Sequence, residues 1–226
     1  MTVSVIIPVY NEADIISNAI RKVYRRSNDI LEIIVVDAGS EDQTRRQAER
    51  AGARVLISPQ KGRAVQMNYG AEHAQGDILY FLHADSLPPQ GFDNKIRQAY
   101  ARDYPAGCFQ LAFDRDSALL GIYAWFTRFD IDAFRFGDQS LFVSKSVFFD
   151  VGGFREDHLV MEDNEIIRRI KKRCPFVILD DKVITSARAY QQGGPLRLQL
   201  IFVFIVFLYH CGVSQETLAH IRKNAT

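Results

Sequence analysis

The residues of this chain best suited to chemistry are acids placed where apolar runs stop. Val3–Val9 carries Pro8 near its end and runs into Tyr10-Asn11-Glu12, Glu32–Asp37 runs into Ala38-Gly39-Ser40, and residues 78–83 run into Ala84-Asp85. A fourth acidic position, Glu162-Asp163, follows the turn Gly152-Gly153-Phe154. Between the acids lies a basic loop, Lys61-Gly62-Arg63, whose two cations can meet a diphosphate while Gly62 lets the backbone approach closely. The phosphate-binding fingerprints are missing: no GxGxxG follows the first apolar run and GxxxxGK[ST] occurs nowhere. A Rossmann dinucleotide site and a P-loop are thereby excluded, and without a GxSxG elbow a serine hydrolase has no support. Cys108, Cys174 and Cys211 have neither CxxC nor Cys/His ligand spacing. Zinc and a disulfide framework therefore fall away, and reduced cysteines in a cytosolic protein are expected.

The acids need elements to hold them. Val3–Val9, Glu32–Asp37, 54–58 and 78–83 are short, Val- and Ile-rich and nearly continuous in apolar character, as strands buried on both faces are. Ala13–Arg26, 41–51 and 64–74 have helical spacing with charged faces, and Ser40 with Gln43 resembles a capping box opening the second helix. Strand–helix alternation with short connections implies βαβ units and a parallel sheet. Ligands of such sheets sit outside the carboxyl ends of the strands, so three polar clusters at three strand ends mark one site.

The second half is less regular. Pro88-Pro89 precedes a helix over 92–102 and a strand over 108–113. An aromatic stretch over 119–136 leads to a strand over 139–144, and Glu162–Arg173 has helical periodicity. The basic run Arg168–Arg173 reads as the solvated face of that helix, with a phospholipid headgroup contact as the alternative.

The 226 residues are 47% hydrophobic and 24% charged, an ordinary globular composition with room for a core. Lys+Arg 28 against Asp+Glu 27 leaves a net charge of +1, which supplies no global field for nucleic acid. The N-terminus has no basic stretch before its apolar residues and is not read as a signal peptide. No internal repeat or flexible linker divides the chain.

One segment departs from this average. Residues 196–213, LRLQLIFVFIVFLYHCGV, are apolar without interruption from Leu200 to Tyr209 but fall short of the ~20 residues a transmembrane helix needs. Three readings stay open: a buried core helix, an interfacial helix on a membrane, and an oligomer contact. Arg197, Arg222 and Lys223 flank the segment and suit an anionic surface. The chain is expected in the cytoplasm, with peripheral contact at the inner face of the membrane under the interfacial reading.

The order PVYNE, DAGSEDQT, KGR, FLHAD, GDQ, VGGF and MEDNE resembles that of family 2 glycosyltransferases of the GT-A fold, over roughly Val3 to Arg188. The run from FLHAD to the late GVS is most similar to a compact bacterial subgroup. The resemblance implies an α/β fold of GT-A type, a mostly parallel sheet flanked by helices. Residues 1–190 would form the glycosyltransferase domain and 191–226 a C-terminal helical extension. It implies transfer of a sugar from a nucleoside diphosphate donor, most often UDP-linked, to a lipid or polysaccharide acceptor, by an inverting route that needs Mn²⁺ or Mg²⁺.

The resemblance also implies roles. Asp37 matches the acid that accepts from the nucleotide base, a chemically sound partner for an imide N–H; the alternative is a carboxylate at a helix N-terminus. Pro8, Tyr10 and Glu12 match the loop around base and ribose, and Lys61, Arg63 and Ala84 join the nucleotide site. His83-Ala84-Asp85 occupies the place of the family's DxD motif, with Asp85 as the metal-contacting acid and His83 departing from the pattern. The alternative for Asp85 is a cap on the turn before Pro88-Pro89. Asp163 matches the general base, with Glu162 second; adjacent acids on a helix face apart, so one is expected in the site. Asp138, Gln139 and Gly153 match walls for donor sugar and acceptor, with a plain turn as the alternative at Asp138 and Gln139. Arg188 matches a cation directed at the diphosphate. A nucleotidyltransferase of similar sheet and a non-catalytic, membrane-associated nucleotide-binding scaffold are the competing functions; the first would need a Gly-rich basic loop where PVYNE stands.

Overall fold

The computed structural model describes residues 1–132, 137–188, 190 and 194–224. The first half follows the sequence pattern. β1 (Val3–Val9), β2 (Glu32–Asp37), β3 (Arg54–Ile57) and β4 (Ile78–Phe81) are parallel neighbours, linked by α1 (Ala13–Arg26), α2 (Thr44–Arg50) and α3 (Arg63–His73). Alternation along β1 builds the layers: Val5 and Ile7 join the core with Ile16, Ile20, Phe92 and Phe109, whereas Ile6 joins Met67, Phe81, Phe148 and Ile170 on the other face. α1 buries Ile16, Ile20 and Val23, one stripe at helical spacing. The register sets Val9 opposite Asp37, so the polar residues after β1 and β2 emerge side by side.

The remaining elements are β5 (Ser86–Leu87), α4 (Phe92–Ala101), β6 (Ala106–Phe113), α5 (Ala118–Phe126), β7 (Leu141–Ser144), α6 (Lys145–Asp150), α7 (Glu162–Arg173), β8 (Phe176–Thr185), α8 (Pro195–His210) and α9 (Gln215–Lys223). The eight strands form one mixed sheet in the order β3-β2-β1-β4-β7-β6-β8-β5, with β7 antiparallel to both of its neighbours. Gly107 lets β6 approach β8 and β7: a Cβ there would meet the Val177 carbonyl oxygen at 2.3 Å and Phe142 at 2.5 Å.

Several local expectations change. α2 starts at Thr44, so the Ser40/Gln43 capping box does not form. Ser40 is drawn instead into the β2 turn, where its hydroxyl donates to Asp37 and accepts from the Asn11 N–H at 2.8 Å. Asp42 takes over at the helix start, accepting from the Thr44 N–H at 2.9 Å. β8, split by Asp180-Asp181-Lys182, has no clean period-2 pattern and is visible through its pairing with β6 and β5. The basic run is not simply solvated, because Arg169 donates to the Glu165 carboxylate and to the Val151 and Gly153 carbonyls.

Among the described residues, no helix is long and apolar enough to cross a membrane. α8 has two faces. Leu198 and Ile205 are buried, while Leu196, Leu200, Val203, Phe204 and Phe207 are exposed at i, i+4, i+7, i+8 and i+11, a single outward stripe. Of the aromatic stretch expected over 119–136, residues 133–136 lie outside the described residues, as do 191–193 beside the domain boundary expected after 190.

Candidate active site

The carboxyl ends of β1 and β2 make the first wall. Asp37 is fully buried, its carboxylate accepting from the Gly39 N–H at 3.0 Å, the Ser40 N–H at 2.9 Å and the Ser40 hydroxyl. Those bonds hold the acid rigidly and still leave acceptor capacity, since an ionised carboxylate has about four lone-pair sites. Gln66, on α3, ties the same edge together by donating to the Val9 carbonyl at 2.9 Å and the Val36 carbonyl at 2.7 Å. Nothing in the local pattern singles out this glutamine; only the helix packing brings it there. Tyr10 projects at the rim, with the Lys61 ammonium 3.0 Å from its hydroxyl and 4.3 Å from its ring centre. Pro8 is paired inside β1, opposite Val36.

The turn after β4 separates two clefts. Asp85 and Ala84 line one of them with Arg188, Asp114, Ser186 and Lys22. Glu12 adjoins it: burial raises its carboxyl above the usual value, Asp85 adds to the rise, and Arg188 opposes it. His83 points to the other side, where its Nδ1 lies 3.3 Å from the Asp138 carboxylate. Burial would raise Asp138, but its bond to His83, that charge, and the Arg63 and Arg222 guanidinia bring it below the ordinary range.

The second cleft is a cavity of about 110 Å³, room for several waters. Its polar lining includes Arg63, Asp138, Glu162, Asp163 and Arg222, and Phe202, Ile205 and Val206 of α8 supply an apolar wall. Both acids at the start of α7 face it, not one as helix geometry alone suggests: Glu162 is 3% and Asp163 8% exposed. The entry to the helix explains this. Met161 precedes it at φ 66°, a left-handed conformation rare for a side chain of its size, and swings the first turn toward the cavity. Glu162 is taken by Arg63, whose Nη1 donates to Oε1 at 3.1 Å. Burial works against the Arg63 charge, and Glu162, Asp163 and Asp138 outweigh it and raise its proton affinity. Burial, then the neighbouring Glu162, pushes Asp163 up to about 6, against the opposing pull of His83 and Arg63.

Other expected residues lie elsewhere. Gln139 is buried against the Cys108 thiol at 3.5 Å and does not line the cavity. Gly153 sits at φ 66° in the turn before α7, where a Cβ would meet Asn68 Oδ1 at 2.8 Å. Asn68 clamps that turn by accepting from the Phe154 N–H at 2.8 Å and donating to its carbonyl at 2.9 Å. Arg222, expected to flank the apolar segment toward an anionic surface, turns into the cavity instead. Its position one turn after the apolar Leu218 was the available signal.

Similarity to known proteins assigns the family and the fold. Residues 4–155 match the family model described as glycosyl transferase family 2, about two thirds of the chain. The chain belongs to glycosyl transferase family 2. Within the family, it is 33% identical over 108 residues to the undecaprenyl-phosphate 4-deoxy-4-formamido-L-arabinose transferase of Edwardsiella ictaluri, covering 43% of this chain and 33% of that one. It is 40% identical over 98 residues to glycosyltransferase AglE of Haloferax volcanii, covering 39% and 32%. The chain thus spans about a third of the length of the curated relatives it matches. The fold is that of the GT-A glycosyltransferases. The mannosyltransferase PcManGT of Pyrobaculum calidifontis, solved with GDP-Man and Mn²⁺, superposes with a TM-score of 0.73 at 18% identity over 97% of this chain and 68% of that one. Glucosyl-3-phosphoglycerate synthase of Mycobacterium tuberculosis, solved with Mg²⁺ and UDP, superposes with a TM-score of 0.64 at 17% identity over 94% and 80%.

Proposed function

We propose that this family 2 chain moves a sugar from a nucleoside diphosphate donor, UDP-linked, to a hydroxyl of a lipid or polysaccharide acceptor, with inversion at the anomeric carbon. The observation that carries the reading is the turn His83-Ala84-Asp85: Asp85 lines one cleft beside Arg188, and His83 lines the other beside Asp163. Donor diphosphate and attacking hydroxyl then have separate places on either side of one turn. In this reading the base and ribose lie along Pro8, Tyr10, Glu12, Asp37 and Ala84, and Lys61 and Arg188 meet the diphosphate.

Asp163 takes the proton of the acceptor hydroxyl as its oxygen attacks the anomeric carbon from the face opposite the leaving nucleotide. Its raised proton affinity suits the task, because a base that titrates near 6 is mostly ionised at neutral pH and still binds a proton well. Glu162 is tied to Arg63 and orients the first turn of α7. Asp138, held by His83, is placed for a sugar hydroxyl; Gln139 and Gly153 support the walls from behind.

Asp85 fits a divalent cation of the Mn²⁺ or Mg²⁺ type. It is an exposed carboxylate, and such ions are held by one or two carboxylates completed by substrate phosphates. Among the described residues, no three His, Cys, Asp or Glu converge as a cage, so in this reading donor phosphate oxygens would supply the remaining ligands. Bound there, the cation neutralises the charge that builds on the departing diphosphate.

The apolar wall of the cavity supports a lipid-like acceptor, and the outward stripe of α8 supports peripheral contact with the inner face of a membrane. The extension expected over 191–226 includes α8, which packs through Leu198 against Leu120 and Tyr190.

The test is titration of UDP with and without Mn²⁺ or Mg²⁺, repeated with Asp85→Ala, followed by a sugar-nucleotide panel. Metal-dependent binding lost in Asp85→Ala, with transfer or donor hydrolysis, supports the reading. Absence of UDP binding in every condition overturns it, and binding with neither transfer nor hydrolysis favours the scaffold.

A further inference from the structure

The C-terminal helix α9 is tied to the segment leading into α7 at two residues, Gln215 and Leu218, and sends a third, Arg222, into the cavity. Ser214 caps it by accepting from the Thr217 N–H at 3.4 Å. The next residue, Gln215, accepts from both the Leu159 and Val160 N–H groups at 3.1 Å, fixing the segment that leads into Met161. One turn on, Leu218 is fully buried against Val160, Met161 and Ile205. Arg222 follows Leu218 at i+4, so it leaves the same face of the helix and enters the cavity beside Arg63.

The cavity has a reason to need it. Asp138, Glu162 and Asp163 converge there, because the strained entry at Met161 brings in both acids of α7. Arg63 is committed to Glu162. Crowding two guanidinia costs free energy, and the Arg63 charge, followed by burial, depresses the proton affinity of Arg222. Glu162, Asp138 and Asp163 each favour the Arg222 charge and offset that depression in part.

We propose that Arg222 is a positioning residue of the catalytic centre: delivered by α9, it offsets the convergence of Asp138, Glu162 and Asp163 and so keeps Asp163 available as the base at neutral pH. The proposal rests on the transferase reading, for the role of Asp163. The groups that face Asp163 are Glu162 on its own helix, His83 after β4, Asp138 before β7, Arg63 on α3 and Arg222 on α9, with Tyr123 and Tyr190 completing the titratable lining. Of these, Arg222 is contributed by the part of the chain farthest from the family's motifs.

The experiment follows the side-chain carboxyl carbon of Asp163 by carbon-13 NMR across pH in the full-length protein, the signal being assigned with Asp163→Asn. Arg222→Met retains the apolar stem, removes the charge and is expected to raise the Asp163 midpoint by about one pH unit, the usual effect of losing one nearby opposite charge. Arg222→Lys is expected to return it to the wild-type value. Arg222→Gln gives the same reading as Arg222→Met if the latter does not fold. A midpoint that stays put in a folded neutral variant overturns the proposal, as does a full-unit displacement in Arg222→Lys; a lowered Tm with an unmoved midpoint makes Arg222 merely structural. The titration needs no substrate. A shifted midpoint in a protein that transfers no sugar would therefore sink the transferase reading while leaving the electrostatic role intact.

Discussion

Arg63, the first residue of α3, donates to Glu162, the first residue of α7, at 3.1 Å, joining a helix of the parallel half of the sheet to the helix that bears Asp163. Glu162 is nearly buried, whereas the Arg63 side chain keeps 35% of its exposure, so solvent screens part of the attraction. Arg63→Met should destabilise the protein by about 1–3 kcal/mol, below the range for wholly buried pairs, through the carboxylate it leaves behind. Glu162→Gln in the same background should recover part of that loss. A double-mutant cycle by urea denaturation reads the coupling, and a coupling near zero would remove Arg63 as the partner of Glu162.

Asp163 is held in its charged form at the expense of stability. Its folded-state value, about 6, lies above the 3.8 of an unperturbed carboxyl. The native state therefore binds this proton more tightly than the unfolded state does. The resulting stability is fully present below pH 3.8 and is lost as pH rises through 6, leaving a penalty of roughly 2–3 kcal/mol at pH 8. Asp163→Asn should thus be more stable than the wild type at pH 8, with the advantage vanishing near pH 4, while transfer falls about 10²–10⁴-fold. Chemical denaturation at the two pH values checks the sign. In the wild type, kcat/KM should decline as pH falls below about 6, where the base becomes protonated.

Gly153→Ala tests the turn that precedes α7. The backbone there has φ 66°, and the added methyl would sit 2.8 Å from Asn68 Oδ1, an atom engaged with the Phe154 N–H. A loss of about 1–3 kcal/mol is expected, from the strained conformation and the displaced clamp together. Thermal unfolding should register it as a Tm lower by several degrees, and an unchanged Tm would show that the turn relaxes freely.

The outward stripe of α8 calls for its own measurement. Phe204→Glu with Phe207→Glu changes two exposed positions, 50% and 62% accessible, without entering the cavity wall formed by Phe202, Ile205 and Val206. Co-sedimentation with anionic phospholipid vesicles should fall by about tenfold or more, since two aromatic anchors are replaced by charges that the surface repels. Equal binding by wild type and variant would assign the stripe to something other than a membrane.

Much of the first half was legible in the sequence because parallel strands buried on both faces advertise themselves. Val3–Val9 and Glu32–Asp37 are continuous apolar runs, and their order with the intervening helices leads to the sheet and to the edge on which Tyr10, Asp37 and Asp85 emerge. β8 was hidden, since its acids and lysine break the period and its pairing with β6 and β5 is what makes it a strand. Ser40 looked like a helix cap because its spacing to Gln43 is right, yet the stronger acceptor, Asp37, lay three residues upstream.

What the sequence determined by itself was the set of chemical groups and the edge they share, because residue type and strand period are local properties. The division of labour among those groups was decided only in three dimensions. His83 and Asp85 part into different clefts, Glu162 and Asp163 enter one together, and Arg222 arrives from a helix that no motif connects to them. Charges act through space over a few ångströms, and it is the packing of α3, α7 and α9 that sets those distances.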